Sequence, residues 1–351
     1  MIDQLIINTE YFLQCAGSCS GCFLSEAERN SQNNFHDVIK PGLIKVLANK
    51  KGKDLLVIGF GRGNNLNLTK ESLIQMGELI SYIEKNHNSK KLVFEVSTSL
   101  IGKINTQIEN AILLLQYSKN IYFNVVVNSE ITSQQFWKNL KTFHTALTKE
   151  REKWGWSDNT GDILVLNINP AILPDIAMLE DFSQGIESPI NISLFPFDEA
   201  VKNITGVQLD ALKEWTQKVA VLFKFKDLNI KNHLEKFNFE LSSINDVKAH
   251  NDLTKSSYFF IDKSGDITEG IPSIMGEVDF PRLLTKYKIQ PDIGKAFKIM
   301  QRHSACINCD YQNQCLATGA YLNMLANHKR IKDKSFCPSG YKEFFHEFLL
   351  T

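Results

Sequence analysis

The sequence predicts an α/β protein: a parallel sheet with helices packed outside it, followed by a smaller C-terminal domain. Three observations carry that expectation. Between residues 2 and 223, strand-like and helix-like patterns alternate six times, and βα units in series build parallel sheets. Several strand-like runs alternate polar and apolar residues with period two, so each has two chemically different faces. After residue 225 the alternation stops, and a polar stretch leads to a hairpin pattern and a second group of cysteines.

The first strand spans 2–13 and runs into a cysteine-rich loop. A helix over 35–48 leads to a second strand at 54–60, which ends in Gly59-Phe60-Gly61-Arg62-Gly63-Asn64-Asn65. Thr69 is the expected N-cap of a helix over 69–85, because a threonine oxygen accepts a first-turn backbone N–H. Strand three at 91–99 is followed by an apolar helix over 105–118. Strand four at 121–128 is followed by a long helix over 132–150, and the tryptophan-rich stretch 154–161 is a loop. Strand five at 162–169, a short helix over 172–182, strand six at 189–195 and a last helix over 206–223 complete the series. The boundaries expected are 1–225 for this core, 226–255 for a bridging segment and 256–351 for the C-terminal domain. In the latter, 257–268 reads as a hairpin, with helices near 279–287 and before residue 306.

The strand faces point to a ligand. Strand three sets Phe94 and Val96 against Glu95, Ser97 and Ser99. Strand four sets Phe123, Val125 and Val127 against Asn124 and Asn128. Strand five sets its leucines and Ile168 against Asn167 and Asn169, and strand six repeats the pattern with Asn191 and Ser193. Parallel strands covered on both faces ordinarily read as continuous apolar runs. The apolar sets pack on the helices, so the polar sets line the inner face, where uncompensated amides are costly. The alternative is an antiparallel sheet with its polar face in water, and the intervening helices argue against it.

Composition narrows the function. The 351 residues suffice for one large domain and a smaller one, and the 43% hydrophobic and 22% charged content is ordinary for a globular chain. Lys and Arg equal Asp and Glu at 39 each, so no overall basic footprint suggests nucleic acid. No apolar run reaches a membrane span, and residues 1–13 lack the basic start of a signal peptide. A cytoplasmic protein is expected. In a reducing compartment, clustered cysteines are ligands more often than disulfides. The seven cysteines fall in two groups: Cys15, Cys19 and Cys22, then Cys306, Cys309, Cys315 and Cys337.

Cys15-Ala-Gly-Ser-Cys19-Ser-Gly-Cys22 puts three thiols in eight residues, with small residues between them. A closed zinc site takes four ligands, and Fe–S clusters normally take four cysteines. Three on one loop suit a 4Fe-4S cluster with one open iron; a zinc loop or unrelated thiols are the alternative. The second group, C-x2-C-x5-C with a distant fourth cysteine, suits zinc or a fully ligated cluster.

The C-x3-C-x2-C loop after a first strand resembles the radical-SAM (AdoMet radical) superfamily. That resemblance implies a partial (β/α)6 TIM-like barrel and a 4Fe-4S cluster on Cys15, Cys19 and Cys22 whose open iron binds S-adenosylmethionine. It also implies reductive cleavage to a 5′-deoxyadenosyl radical that takes a hydrogen atom from substrate. Two departures are visible. Gly21 stands where an aromatic usually precedes the third cysteine, and Phe23 follows it. The usual Gly-Gly-Glu motif is matched in its glycines, Gly59 and Gly61, but not in its glutamate, so Arg62, Asn64 and Asn65 are the substitutes nearby. By alignment of strands, Glu95 and Ser97 on strand three, Asn128 on strand four and Asn169 on strand five are the further candidates for AdoMet or substrate contact. No acid or base stands out as a catalytic residue.

The hairpin with Gly265, the turn at Met275 and the second cysteine group resemble a SPASM/twitch-like domain, a C-terminal extension of many such enzymes. The resemblance assigns Cys306, Cys309, Cys315 and Cys337 to one auxiliary 4Fe-4S cluster. The other cluster of a full domain is lost, since two of its ligand positions fall on Gly270 and Gly319. It implies a flavodoxin- or ferredoxin-type electron donor, and a substrate that is a ribosomally made peptide or a small, sugar-like or amino-acid-like molecule. With the cluster loop beginning at residue 15, no room ahead of it is expected for a leader-recognition domain, so either a separate protein delivers the peptide or the substrate is short or small. From another class, an Fe–S electron-transfer protein or a zinc-stabilised binding module would use the same cysteines.

Overall fold

The computed structural model describes residues 4–17, 24–50, 52–156, 162–169, 171–185, 190–194, 205–224, 257–270, 292–317, 320–340, 342 and 346. Cys19, Cys22, the bridging segment 226–255, the turn at Met275, the helix expected over 279–287 and Gly319 lie outside the described residues.

The architecture is α/β, as the alternating pattern requires. Six βα units run from β1 (Gln4–Phe12) through α2 (His36–Asn49), β2 (Leu55–Arg62), α3 (Lys70–Asn86), β3 (Lys91–Thr98), α4 (Ile104–Leu115), β4 (Ile121–Asn128), α5 (Gln134–Lys153), β5 (Ile163–Ile168), α6 (Ile176–Gly185) and β6 (Ile190–Leu194) to α7 (Gly206–Lys224). A short α1 (Glu26–Asn30) precedes α2. Thr69 caps α3, its hydroxyl accepting from Ser72 N.

The strands form one sheet in the order β6-β5-β4-β3-β2-β1-β7-β8, where β7 (Ser257–Ile261) and β8 (Ile267–Gly270) are the C-terminal hairpin. All pairs are parallel except β7–β8. The hairpin therefore extends the barrel sheet: β7 pairs with β1, so the strand that launches the cysteine loop is internal to the sheet and not at its edge. Gly265 makes the hairpin turn at φ +84, a left-handed conformation that favours glycine.

The helix-facing side is the core. Ile7, Phe60, Phe94 and Phe123 are all fully buried there, with Tyr11 meeting Phe60 edge-on and Phe123 meeting Phe143 in the same way. In β3 the burial alternates, Phe94, Val96 and Thr98 buried and Glu95 and Ser97 partly open. At the start of β4 and β5 the sheet is pinned by a buried ion pair. Arg151 Nη1 and Nη2 meet Asp162 Oδ2 and Oδ1 at 2.5 and 2.8 Å. Arg151 Nη2 also donates to Ile121 O, and Phe123 N donates to the Asp162 carboxylate.

After the hairpin, α8 (Ile293–Met300), α9 (Ser304–Ile307), α10 (Gln312–Ala317) and α11 (Tyr321–Asn327) carry the second cysteine group. α8 packs against α10 and α11.

Candidate functional site

Parallel sheets place ligands at the carboxyl ends of their strands, and β1 delivers Cys15 to that end. Its Sγ lies 4.0 Å from Ser99 Oγ, just beyond β3. Cys15 N donates to Arg29 O at 3.0 Å, and Arg29 Nη1 donates to Gly17 O at 3.1 Å, so Arg29 grips the start of the cysteine loop from both directions. Arg29 sits on α1, which a reciprocal Ser25–Glu28 capping box starts. Glu28 also meets Lys263 Nζ at 2.5 Å, and Lys263 N donates to Glu10 Oε2 at 3.0 Å, tying the hairpin turn to β1 and α1. Sequence reasoning missed α1 and Arg29; the Ser-x-x-Glu spacing at 25–28 was the signal.

The glycines ending β2 do different work. Gly59 pairs with Asn8, and the Asn8 side chain occupies the space a Gly59 side chain would take. Gly61 is open: a Cβ there would meet Thr9 O and Ser97 Oγ at ordinary distances of 3.6 and 3.7 Å. Gly63 lies against backbone, with Gln14 O 2.5 Å from a Cβ position, and the bonds Gly63 N to Phe12 O and Asn64 N to Gln14 O join β2 to the cysteine segment. Arg62 is the last residue of β2, paired with Phe12.

Asn64 is fully buried. Its amide donates to Ile101 O and Gln107 Oε1, and its Oδ1 accepts from Thr98 Oγ1 at 2.8 Å. These bonds hold the turn between β2 and α3 on the β3–α4 connection, and they commit the polar atoms that made Asn64 a candidate.

Glu95, Ser97 and Asn124 come together on the face turned away from the helices. Asn124 Nδ2 donates to Glu95 Oε2 at 3.0 Å, Asn124 pairs across the sheet with Ser97, and Glu95 pairs with Gly59 and Tyr122. Asn128 ends β4 opposite Asn167. Asn169 is buried beyond β5, where its N donates to Ser129 Oγ, its Nδ2 to Glu130, and its Oδ1 accepts from Ala171 N. Asn169 thus closes its own turn onto the residues after β4.

The second cysteine group is wholly described. Cys306, Cys309, Cys315 and Cys337 line one pocket, partly open to solvent, with Met300, Tyr311, Met324 and Lys342. None of the four is in a disulfide. Cys306 and Cys309 are brought together by the turn bond Cys309 N to Cys306 O. Gln312 Nε2 donates to Cys306 O, and Ser339 Oγ lies 3.1 Å from Cys337 Sγ. Asn323 and Asn327, one turn apart on α11 and fully buried, donate to Ser339 O and Pro338 O and fix the turn that presents Cys337. Burial pushes the Cys306 thiol up to about 12, with the neighbouring Cys337 and Cys309 adding to it, and raises Cys309 and Cys315 too. Among the described residues, no three Cys, His, Asp or Glu converge closely enough for a single metal ion.

Neither the protein-family models nor the curated proteins match this sequence. Solved structures do. The structure of hexahistidine-tagged anSMEcpe with bound AdoMet overlays 99% of this chain and 96% of its own, with TM-score 0.56 and 13% identity. Native anSMEcpe with AdoMet and the Cp18Cys peptide overlays 98% and 96%, with TM-score 0.54 and 12% identity. AnSMEcpe is an anaerobic sulfatase-maturating enzyme of the radical SAM, SPASM-domain type. The overlay spans the partial barrel and the C-terminal cysteine region alike, and this chain has the fold of radical SAM enzymes.

Proposed function

We propose that the protein is an AdoMet radical enzyme. The observation that carries the reading is the placement of Cys15, three residues beyond the carboxyl end of β1, an internal strand of a radical-SAM-type sheet, and beside Ser99. Cys15, Cys19 and Cys22 would hold a 4Fe-4S cluster. When bound, that cluster supplies the electron that splits AdoMet into methionine and a 5′-deoxyadenosyl radical able to take a hydrogen atom from substrate.

The chain's own residues have separate tasks. Arg29 shapes the loop through Gly17 O and Cys15 N. Gly61 leaves the inner face of β2 bare for a ligand, and Glu95, Ser97 and Asn124 supply acceptors and donors beside it. The sheet and its helices exclude water and hold the target C–H close. Asn128 and, through its backbone, Asn169 frame the mouth at β4 and β5, and Arg62 closes β2.

Cys306, Cys309, Cys315 and Cys337 would hold one auxiliary 4Fe-4S cluster. Their fit is supported by four free thiols, two buried and two partly exposed, that line one pocket. Cys306, Cys309 and Cys315, whose burial favours the protonated thiol, would become thiolates when a metal centre supplies the compensating charge. A four-thiolate cluster has no open iron, so its role is electron relay or scaffold.

A peptide is the substrate class favoured, because a structural neighbour was solved with a peptide beside AdoMet. A small molecule is the second reading, favoured by the amide-rich inner face. A working place in the cytoplasm fits the free thiols; among the described residues no helix is long and apolar enough to cross a membrane.

The test is anaerobic incubation of the reconstituted protein with AdoMet and dithionite, assayed for 5′-deoxyadenosine, with a Cys15→Ala/Cys19→Ala/Cys22→Ala control. Product that needs those cysteines establishes the chemistry. A colourless protein holding zinc and no iron would sink it.

A further inference from the structure

We infer that Glu95 and Asn124 form the recognition point for a cationic nitrogen of the substrate, a protonated amine or a guanidinium. The inference rests on the radical enzyme reading above and narrows its substrate class. It begins with an amide that is half satisfied. Asn124 is 7% exposed, and its Nδ2 donates to Glu95 Oε2 at 3.0 Å. Its Oδ1 is buried and has no hydrogen-bond donor. The orientation of the amide follows from its neighbour. An ionised carboxylate only accepts, so Asn124 turns its NH2 to Glu95 and is left with a bare carbonyl. Ser97, opposite Asn124 in register, does not fill the gap. A buried acceptor without a donor is costly, so the site is complete only when something else brings the donor.

The chemistry of the pair selects that donor. Both groups on offer, the Glu95 carboxylate and Asn124 Oδ1, are acceptors, and one of them is an anion. A hydroxyl or a neutral amide would satisfy the carbonyl and leave the charge unanswered. An ammonium carries three N–H donors and a guanidinium five, each with a positive charge, and charge-assisted bonds are the stronger ones. The residues on the same sheet face around Glu95 are neutral: Val93 and Ser97 on its own strand, Gly59 and Tyr122 beside it in register, and Gly61 beyond Gly59.

Depth assigns the pair to substrate. Glu95, Ser97 and Tyr122 are partly exposed, so the approach to Asn124 runs over the glutamate. Ser99, whose Oγ lies 4.0 Å from Cys15 Sγ, follows Glu95 by four residues. At about 3.3 Å per residue, Glu95 stands about 13 Å along the strand from the level of Cys15. AdoMet sits at the cluster, at the other end of that distance. The anchored nitrogen is therefore the end of the substrate away from the radical, and the chain between it and the reacting carbon runs up the open side of Gly61 toward the cysteine loop. A lysine or arginine side chain of a peptide brings such a nitrogen, and so does a free small amine.

The experiment uses the full-length, reconstituted protein with AdoMet. Saturation-transfer NMR titrations read the affinity of three probes: Nα-acetyl-lysine amide, its neutral isostere Nα-acetyl-norleucine amide, and n-butylamine. The lysine probe is expected to bind about tenfold or more tighter than the norleucine probe. Glu95→Gln, which keeps the shape and an acceptor for Asn124 Nδ2, should remove that preference. Asn124→Ala should weaken the lysine probe by about fivefold. Thermal melting checks that both variants are folded. Tighter binding of the lysine probe than of butylamine assigns the site to a peptide, and the reverse order to a free amine; either supports it. Equal affinity for the lysine and norleucine probes, binding of neither, or a lysine preference that survives in Glu95→Gln overturns the inference. Loss of AdoMet affinity in Glu95→Gln, with AdoMet expelling the lysine probe, would assign the pair to the ammonium of AdoMet and overturn it too. The same preparation is assayed for 5′-deoxyadenosine with dithionite. A cation preference without that product would count against the radical reading and leave the site standing; product without the preference would do the opposite.

Discussion

Asn8 lies across Gly59: its Oδ1 stands 1.9 Å from the point where a Cβ on Gly59 would be, while its Nδ2 donates to Tyr258 OH at 2.6 Å. Three strands are joined through this contact, β1 and β2 on one side and β7 of the C-terminal hairpin on the other. Gly59→Ala must displace the Asn8 side chain and its buried bond, so a destabilisation of about 1–3 kcal/mol is expected. Asn8→Ala in the same chain removes the clash, so the two substitutions together should cost less than their sum. Urea unfolding of the four proteins checks it; strict additivity would show that Asn8 and Gly59 do not interact.

Gly63 has no such flexible neighbour. A Cβ there would stand 2.5 Å from Gln14 O and 2.7 Å from Leu13 C, both backbone atoms. Gly63→Ala is expected to push the end of β2 off the segment that leads to Cys15, breaking the 2.8 Å bond from Gly63 N to Phe12 O and the 2.7 Å bond from Asn64 N to Gln14 O. The loss should fall on iron bound at the N-terminal cysteines. In a Cys306→Ala/Cys309→Ala background, the Gly63→Ala protein should retain less iron than its Gly63 parent; equal iron would show that the segment tolerates the shift. Gly61→Ala is the contrast. Its neighbours stand at 3.6 and 3.7 Å, so stability should stay within about 0.5 kcal/mol of wild type.

Much of the barrel was legible because its signals are local. The period-two runs located the strands, and 121–128 coincides with β4 as found. Thr69 announced its helix. What stayed hidden depends on partners far away in sequence. Asn64 in a glycine-rich turn reads as a ligand contact, yet its bonds run to Thr98 and Gln107, 34 and 43 residues on. The sequence gives no sign of the role of Asn323 and Asn327, whose buried amides donate to the packed turn at 338–339. The pairing of β7 with β1 is separated by some 250 residues, and no periodicity encodes it.

The Arg151–Asp162 pair is expected to matter for stability and not for chemistry, since it lies at the start of β4 and β5, away from the end where Cys15 sits. Both side chains are almost fully buried. Asp162→Ala leaves the guanidinium uncompensated and Phe123 N without its acceptor, and a loss of about 3–5 kcal/mol is expected. Replacing both residues, Arg151→Met with Asp162→Leu, should recover much of that loss, because the desolvation of two charges disappears with them. Chemical denaturation of the single and double variants checks this. A single variant within about 1 kcal/mol of wild type would show that water reaches the pair.

Acid sensitivity follows from His144 and His36. Burial lowers the His144 pKa below the ordinary 6.5; Asp162 opposes the shift and Arg151 adds to it. His36, whose Nδ1 is 2.8 Å from Tyr11 OH, is lowered by burial and by Lys40, against Asp37 and Glu78. A histidine with a lowered folded-state pKa binds its proton more readily in the unfolded chain. Its contribution to stability is therefore complete above the unfolded value near 6.5 and declines as pH falls from there toward the folded value. The urea midpoint of wild type should drop between about pH 7.5 and 5.5, and the drop should be smaller in His144→Gln, which cannot titrate. An unchanged pH slope in that variant would assign the acid sensitivity to other groups.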